Sequence, residues 1–243
     1  WSMYDYNRGC CDNICYSGVA DIFRLPKFSL SFFRTQIAEG SMLPSGKMPY
    51  EVFIPAYRDE ILSDTVMVYG NVDEVELVLN GKTIRRQTAD KGPDSDYISV
   101  PNGGNGKNLH FPPFTFYGVP KERGVLKAVG YHQGKKVAEY TVKTPGVPER
   151  LDITYFESGK PATKNDLLIV YVRMLDKQGV LCPVNGIPVE LSVQGGEIVG
   201  PTSYPLEAGV ASFLVRTGEI SKININATGK GFSTRKSLKV GKE

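Results

Sequence analysis

The dipeptide Asn80-Gly81, set between the alternating apolar residues of VELVLNGKTIRR (75–86), constrains this chain more than any other feature. Both central residues of a two-residue hairpin turn take positive φ, which Asn and Gly tolerate best, so the flanking runs are expected to fold back on each other as antiparallel strands. A second hairpin is expected near Gln133-Gly134, inside VLKAVGYHQGKKVAEYTV (125–142). YEVFI (50–54), TVMVYG (65–70) and PFTFYG (113–118) add short β-branched and aromatic runs bounded by Gly, Asn and Asp. Strands at this spacing close into an antiparallel sandwich.

KTPGVPER (143–150) carries two prolines, one glycine and no apolar periodicity, as expected of a linker between domains. Strand texture then resumes in LDITYF (151–156), LLIVYVRMLD (167–176), PVELSVQGG (188–196), GVASFLVRT (209–217), KININATG (222–229) and STRKSLKV (233–240). Ile223, Ile225 and Ala227 alternate with Asn224, Asn226 and Thr228, the period of a strand with one wet face. A second sandwich is expected here, of the size at which a seven-strand immunoglobulin-like domain closes. In the first, Phe114, Phe116 and Tyr117 alternate as core residues would. Burying each contributes ~2–3 kcal/mol, which favours a core role over an exposed carbohydrate-binding face.

The N-terminal segment is different. GVADIFRLPKFSLSFFRTQ (18–36) places aromatic residues around Pro26, which suits the first turn of a helix because its missing N–H is not needed there. A helix from Pro26 to Gln36 is expected, with Phe28, Phe32 and Phe33 as an apolar stripe. The remaining sequence offers no second long helix to cover it.

Composition excludes several classes. Hydrophobic residues make up 41% and charged residues 23%, as in ordinary folded domains, and the net charge is only +3 with no contiguous basic block. A nucleic-acid partner is therefore not expected. No apolar run reaches the ~18 residues of a membrane span. Cys10, Cys11, Cys15 and Cys182 form no spaced framework, and neither they nor His110 and His132 have metal-ligand spacing, so no metal or cofactor is expected.

WSMYDYN (1–7) followed by the Gly-Val-x-Asp-x-x-Arg-x-Pro-Lys of GVADIFRLPK (18–27) resembles the end of the catalytic barrel in family 2 glycoside hydrolases, the β-galactosidase and β-glucuronidase group. The matching positions are Trp1, Asp5, Gly18, Val19, Asp21, Arg24, Pro26 and Lys27. VMVYGNVDEVELVLNGKTI and the stretch from VLKAVGYHQGKK to GVPERLDI resemble the sandwich that follows that barrel. LLIVYVRMLDKQGV through GVASFLVRTG resembles the immunoglobulin-like modules that come last in such enzymes and in some adhesins. The resemblance implies a mainly β chain: residues 1–38 as the last strand, loop and helix of a (β/α)8 barrel, 39–145 as a first sandwich, and 146–243 as a second, immunoglobulin-like one. It further implies that the chain begins at the end of the eighth barrel strand, and that the rest of the barrel is the partner of its aromatic helix.

Retaining glycosidases need two carboxylates about 5 Å apart. In this family both are glutamates on earlier strands, one within Asn-Glu, and no Asn-Glu pair occurs here. The chain alone is therefore expected to be inactive, although it resembles part of an enzyme cleaving β-glycosidic bonds. Asp59-Glu60, Asp64 and Asp73-Glu74 read as solvated faces.

By resemblance, Trp1 offers a stacking platform for a sugar ring, and Asp5 and Asn7 either hydrogen-bond sugar hydroxyls or hold the loop. Tyr4, Tyr6 and Tyr16 would narrow the cleft or pack locally. Where β-glucuronidases carry an Asn-x-Lys pair for the substrate carboxylate, this chain has Cys15 and Ser17, which disfavours a uronic acid and leaves a neutral β-linked sugar, galactoside first. The sandwiches are expected to prop the barrel and could also contribute to homo-oligomer formation. Export to the periplasm or cell surface is expected by analogy, with the cytoplasm as alternative. The rival reading is a non-catalytic carbohydrate-binding or adhesin-like surface protein.

Overall fold

The computed structural model describes residues 2–9, 13–56, 63–90, 109–156 and 159–241. Trp1, Cys10, Cys11, Asp59 and Glu60, singled out above, lie outside the described residues. The chain divides into two compact units, Trp1–Thr144 and Pro145–Glu243.

In chain order the first unit contains β1 (Tyr6–Asn7), β2 (Ile14–Cys15), α1 (Phe28–Thr35), β3 (Met42–Leu43), β4 (Gly46–Lys47), β5 (Val52–Phe53) and β6 (Val66–Gly70). It continues with β7 (Glu74–Leu79), β8 (Lys82–Thr88), β9 (Phe114–Phe116), β10 (Val125–His132) and β11 (Lys135–Lys143). A sheet of order β5-β6-β9 faces one of order β11-β10-β7-β8. Both expected turns form, with φ of +50° and +80° at Asn80 and Gly81, and +48° and +76° at Gln133 and Gly134. Alternation sends Val75, Leu77 and Leu79 inward, where they meet Val68, Phe114, Phe116 and Leu126 in a dry core. Tyr117 departs from expectation: adjacent to Phe116, it falls on the opposite face from Phe114 and Phe116 and is 43% exposed.

Two polar side chains tie this unit's loops. The buried amide of Asn71 donates to the Ile37 and Pro49 carbonyls, each at 3.0 Å, and accepts the Glu51 N–H at 2.6 Å, joining three segments. Asn80 accepts the Val125 N–H at 2.9 Å and donates to the Arg123 carbonyl at 3.1 Å. Gly124, at φ +134°, lies so close that a Cβ there would sit 1.9 Å from the Asn80 Oδ1.

The second unit contains β12 (Pro148–Tyr155), β13 (Leu167–Asp176), β14 (Pro188–Gln194), β15 (Gly196–Ile198), β16 (Ser203–Pro205), β17 (Val210–Thr217), β18 (Lys222–Gly229) and β19 (Phe232–Lys239). Sheets of order β12-β13-β17-β15 and β16-β14-β18-β19 enclose a core that includes Val170, Val172, Met174, Phe213 and Ile225. Among the described residues there are eight strands rather than seven, because the three-residue β15 and β16 pair at the edges without an apolar pattern of their own. The expected linker shrinks to 144–147, since Pro148 already pairs with Asp176 at the start of β12, a position where a proline is tolerated. Asp176 is buried, and its carboxylate accepts N–H groups from Gly146 at 2.7 Å, Gln178 at 2.9 Å and Val180 at 2.8 Å.

The helix is shorter than Pro26–Gln36. Lys27 is its extended N-cap, with ψ 165°, because its N–H is bonded to the Val19 carbonyl and its ammonium is drawn elsewhere; Pro26 stands outside, bridged to Ala20. The aromatic stripe is divided. Phe28 meets Phe53 edge-on at 5.7 Å and Phe32 meets Tyr69 at 5.0 Å, so part of it docks on the first sandwich, reinforced by an Arg34–Glu51 ion pair. Phe33 remains 52% and Phe28 37% exposed. Among the described residues no helix is long and apolar enough to cross a membrane.

Candidate functional site

Residues 2–9 and 13–27 form a compact loop system in which the motif positions meet. Residues 3–5 run alongside 19–21, with the Ala20 N–H bonded to the Met3 carbonyl at 3.0 Å and the Asp5 N–H to the Ala20 carbonyl at 2.9 Å. That pairing turns the Asp5 side chain inward, and only 3% of it is exposed. Its Oδ1 accepts the Gly18 N–H at 2.9 Å and a proton of the Lys27 ammonium at 2.7 Å, while the same ammonium donates to the Tyr16 carbonyl at 2.9 Å. One carboxylate thus fastens the turn at residue 18 to the start of the helix.

Gly18 is required by contact. A Cβ there would lie 2.2 Å from the Asp5 nitrogen and 2.6 Å from the Ala20 carbonyl oxygen. The two chain segments could not approach with any larger residue in that place. Asp21 and Arg24 shape the next turn. The Asp21 Oδ1 accepts the Leu25 N–H at 2.8 Å, and Arg24 takes φ +71°, a conformation costly for a residue with a Cβ. Burial raises the Asp21 carboxyl above its ordinary range. The Arg24 guanidinium lies 3.7 Å over the Tyr4 ring, a cation–π contact that holds both against the loop.

Of the two roles open to Asp5, the geometry supplies partners for holding the loop. Asn7 is exposed on β1, which pairs with β2 as Tyr6 opposite Cys15 and Asn7 opposite Ile14. Tyr4, Tyr6 and Tyr16 are 38%, 38% and 67% exposed, so this face of the loop presents aromatic edges to solvent. Cys15 and Ser17 touch, Sγ to Oγ, at 3.4 Å. The hydroxyl of Ser17 first, then that of Tyr6, stabilises the thiolate and brings the Cys15 thiol down to about 7. Arg8 stands against Tyr6 and Cys15, whose negative forms raise its own proton affinity.

Sequence reasoning quoted Lys27 as a motif residue without giving it a task, and did not single out Arg8. The signal for Lys27 was its spacing from Asp5, which becomes readable only once residues 18–27 are known to double back. Of the acidic residues read as solvated, the described ones lie at the surface in pairs: Asp64 with Lys121, Asp73 with His132 and Glu74 with Arg86. Among the described residues no group of three His, Cys, Asp or Glu could hold a metal ion.

Residues 63–138 match the family described as a domain of unknown function, DUF4982. A β-galactosidase of Thermoanaerobacter pseudethanolicus is 33% identical over 233 residues, covering 89% of this chain and 29% of that protein. A β-galactosidase of Rhizobium radiobacter is 30% identical over 129 residues, covering 52% of this chain and 92% of its own length. Among solved structures, a β-glucuronidase from glycoside hydrolase family 2 superposes with a TM-score of 0.77 at 22% identity, over 98% of this chain and 24% of that one. The chain spans less than a third of the length of the first two curated β-galactosidases that it matches. The motif carried by Asp5, Gly18 and Lys27 and these matches agree: the chain belongs to glycoside hydrolase family 2.

Proposed function

We propose that this chain is the C-terminal part of a retaining β-glycoside hydrolase of the β-galactosidase type, with both catalytic glutamates outside these 243 residues. The observation that carries the reading is the convergence of Gly18 and Lys27 on the buried Asp5 carboxylate, which makes the family motif a fastening between a strand end and a helix start. That fastening fixes residues 4–8, which in a (β/α)8 barrel would lie where active-site loops do, beyond the C-terminal ends of the strands. Trp1 would stack on the sugar ring, and Asn7, exposed on β1, would hydrogen-bond sugar hydroxyls. Carbohydrate is the substrate partner, and the rest of the barrel is the partner for the uncovered aromatic side of α1. Export to the periplasm or cell surface belongs to the same proposal.

The substrate is a neutral galactoside. Cys15 and Ser17 are bonded to each other, and a thiol poised near 7 carries partial negative charge at neutral pH, which repels a substrate carboxylate. A charge-assisted hydrogen bond to a uronate contributes about 1.5–3 kcal/mol, or roughly 10- to 150-fold in kcat/KM when it is missing. The intact polypeptide should therefore hydrolyse p-nitrophenyl β-D-galactoside with a kcat/KM at least tenfold above that for the β-D-glucuronide. Equal rates, or preference for the glucuronide, would refute the neutral-sugar assignment and turn attention to Arg8.

A further inference from the structure

The last two strands carry an unbalanced charge. Between residues 222 and 241 the chain has five basic side chains, Lys222, Lys230, Arg235, Lys236 and Lys239, and no acid. They are not contiguous, so no basic block shows in the sequence; the β18–β19 hairpin carries all five, with Lys222, Arg235 and Lys239 on one face, Lys230 at the turn and Lys236 opposite the core residue Ile225. All five are exposed, and among the described residues no ion pair reaches any of them. Lys222 and Lys239 stand directly opposite each other across the two strands. Like charges in that relation repel, and among the described residues no ion pair offsets them.

The surface between these cations has its own chemistry. Ile223, Ile225 and Ala227 point into the core, so Lys222, Asn224, Asn226 and Thr228 line the outer face of the sheet. Register places Ser237 beside Asn224, Arg235 beside Asn226 and Ser233 beside Thr228 on β19. On the other side, Gln194 lies beside Asn224, Ser192 beside Asn226 and Glu190 beside Thr228 on β14. The Ser237 hydroxyl donates to the Asn224 Oδ1 at 2.7 Å, which orients that amide. The result is a flat face of amides and hydroxyls with one carboxylate, Glu190, beside Thr228 at the end near Arg235, and with the Lys222–Lys239 pair at the other end, four residues or about 13 Å along β19 from Arg235.

We propose that the outer face of β14, β18 and β19 binds an anionic polysaccharide. The unpaired cations take its carboxylate or sulfate groups, and the Asn, Gln and Ser side chains between them take its hydroxyls. Amides and hydroxyls in rows, rather than cations alone, favour a sugar polymer over a nucleic acid, and a span of this length fits a stretch of chain rather than one ring. The choice of a sugar polymer rests on the glycosidase reading above, but binding needs no hydrolysis, so the two fail separately.

Affinity electrophoresis of the full chain through gels containing polygalacturonate, ι-carrageenan or neutral galactan tests the proposal, with double-stranded DNA as competitor. Retardation is expected in the two anionic gels and not in galactan, weakening as salt rises from 50 to 200 mM, on the order of the change in screening length. The triple variant K222Q/R235Q/K239Q should bind at least tenfold more weakly, with an unchanged circular dichroism spectrum because all three side chains are exposed. Asn226→Ala should weaken binding to polygalacturonate about threefold or more and leave binding to DNA unaltered. No retardation in either anionic gel, or equal retardation of the triple variant, overturns the assignment. DNA competing as well as the polysaccharide at equal charge, with Asn226→Ala without effect, overturns the sugar in favour of any polyanion.

Discussion

Replacing Asp5 by alanine isolates the fastening at the centre of the loop system. The substitution leaves the Gly18 N–H buried without its acceptor, which costs about 1–3 kcal/mol. The Lys27 ammonium also loses its carboxylate. Its side chain is 33% exposed and keeps the Tyr16 carbonyl, so that loss is small, about 0.5–1 kcal/mol. Together the loop should open more easily by about 1.5–4 kcal/mol, roughly 10- to 900-fold in the open population, while the sandwich cores feel little. Hydrogen exchange read peptide by peptide measures this directly. Peptides covering residues 13–27 should exchange faster by that factor, and peptides from β7, β10 and β13 should not change. Asp5→Asn, whose amide oxygen can still accept the Gly18 N–H, should show under tenfold. Unchanged exchange at residues 13–27, or an equal acceleration across the first unit, would refute the reasoning.

Other consequences follow from single contacts. Asp176→Ala should destabilise the second unit by about 2–4 kcal/mol at pH 7, because three part-buried hydrogen bonds to its carboxylate are lost. The Gly146 N–H above all holds the Asp176 carboxyl below its ordinary range. Since the folded pKa is depressed, this stabilisation is present above the unfolded value near 3.9 and is lost as pH falls through the folded one, so urea midpoints of wild type and Asp176→Asn should converge below about pH 4. Asn71→Ala should lower the thermal midpoint of the first unit through about 2–4 kcal/mol, as three loops lose their common tie. Iodoacetamide at pH 7.5 should label Cys15 well before Cys182, which is buried and whose thiol burial pushes up; Ser17→Ala should slow labelling of Cys15, as peptide mass mapping would show.

Strand identity was legible wherever alternation ran unbroken. LLIVYVRMLD and KININATG coincide with β13 and β18 residue for residue. GEI and SYP became β15 and β16 with no pattern to announce them, because edge strands of three residues are recruited by their neighbours rather than by their own periodicity. The helix start failed for a related reason. Pro26 is a sound signal for a first turn, but Lys27 is pulled into an extended conformation by a carboxylate 22 residues earlier, which no local pattern records. The aromatic stripe was read as needing a partner, yet the residues that cover half of it, Phe53 and Tyr69, lie on strands that look self-sufficient. Motif positions were visible in sequence; what they do for one another was not, since the Gly18 contact and the Arg24–Tyr4 stacking arise only when residues 2–5 and 18–27 lie side by side.

The most direct test of the account follows the first product by proton NMR when the intact polypeptide hydrolyses p-nitrophenyl β-D-galactoside, beside the same experiment on this chain alone. The account predicts β-galactose appearing first from the intact protein, as double displacement requires, and no product from the chain alone. Initial α-galactose, or turnover by these 243 residues without any other part, would contradict it.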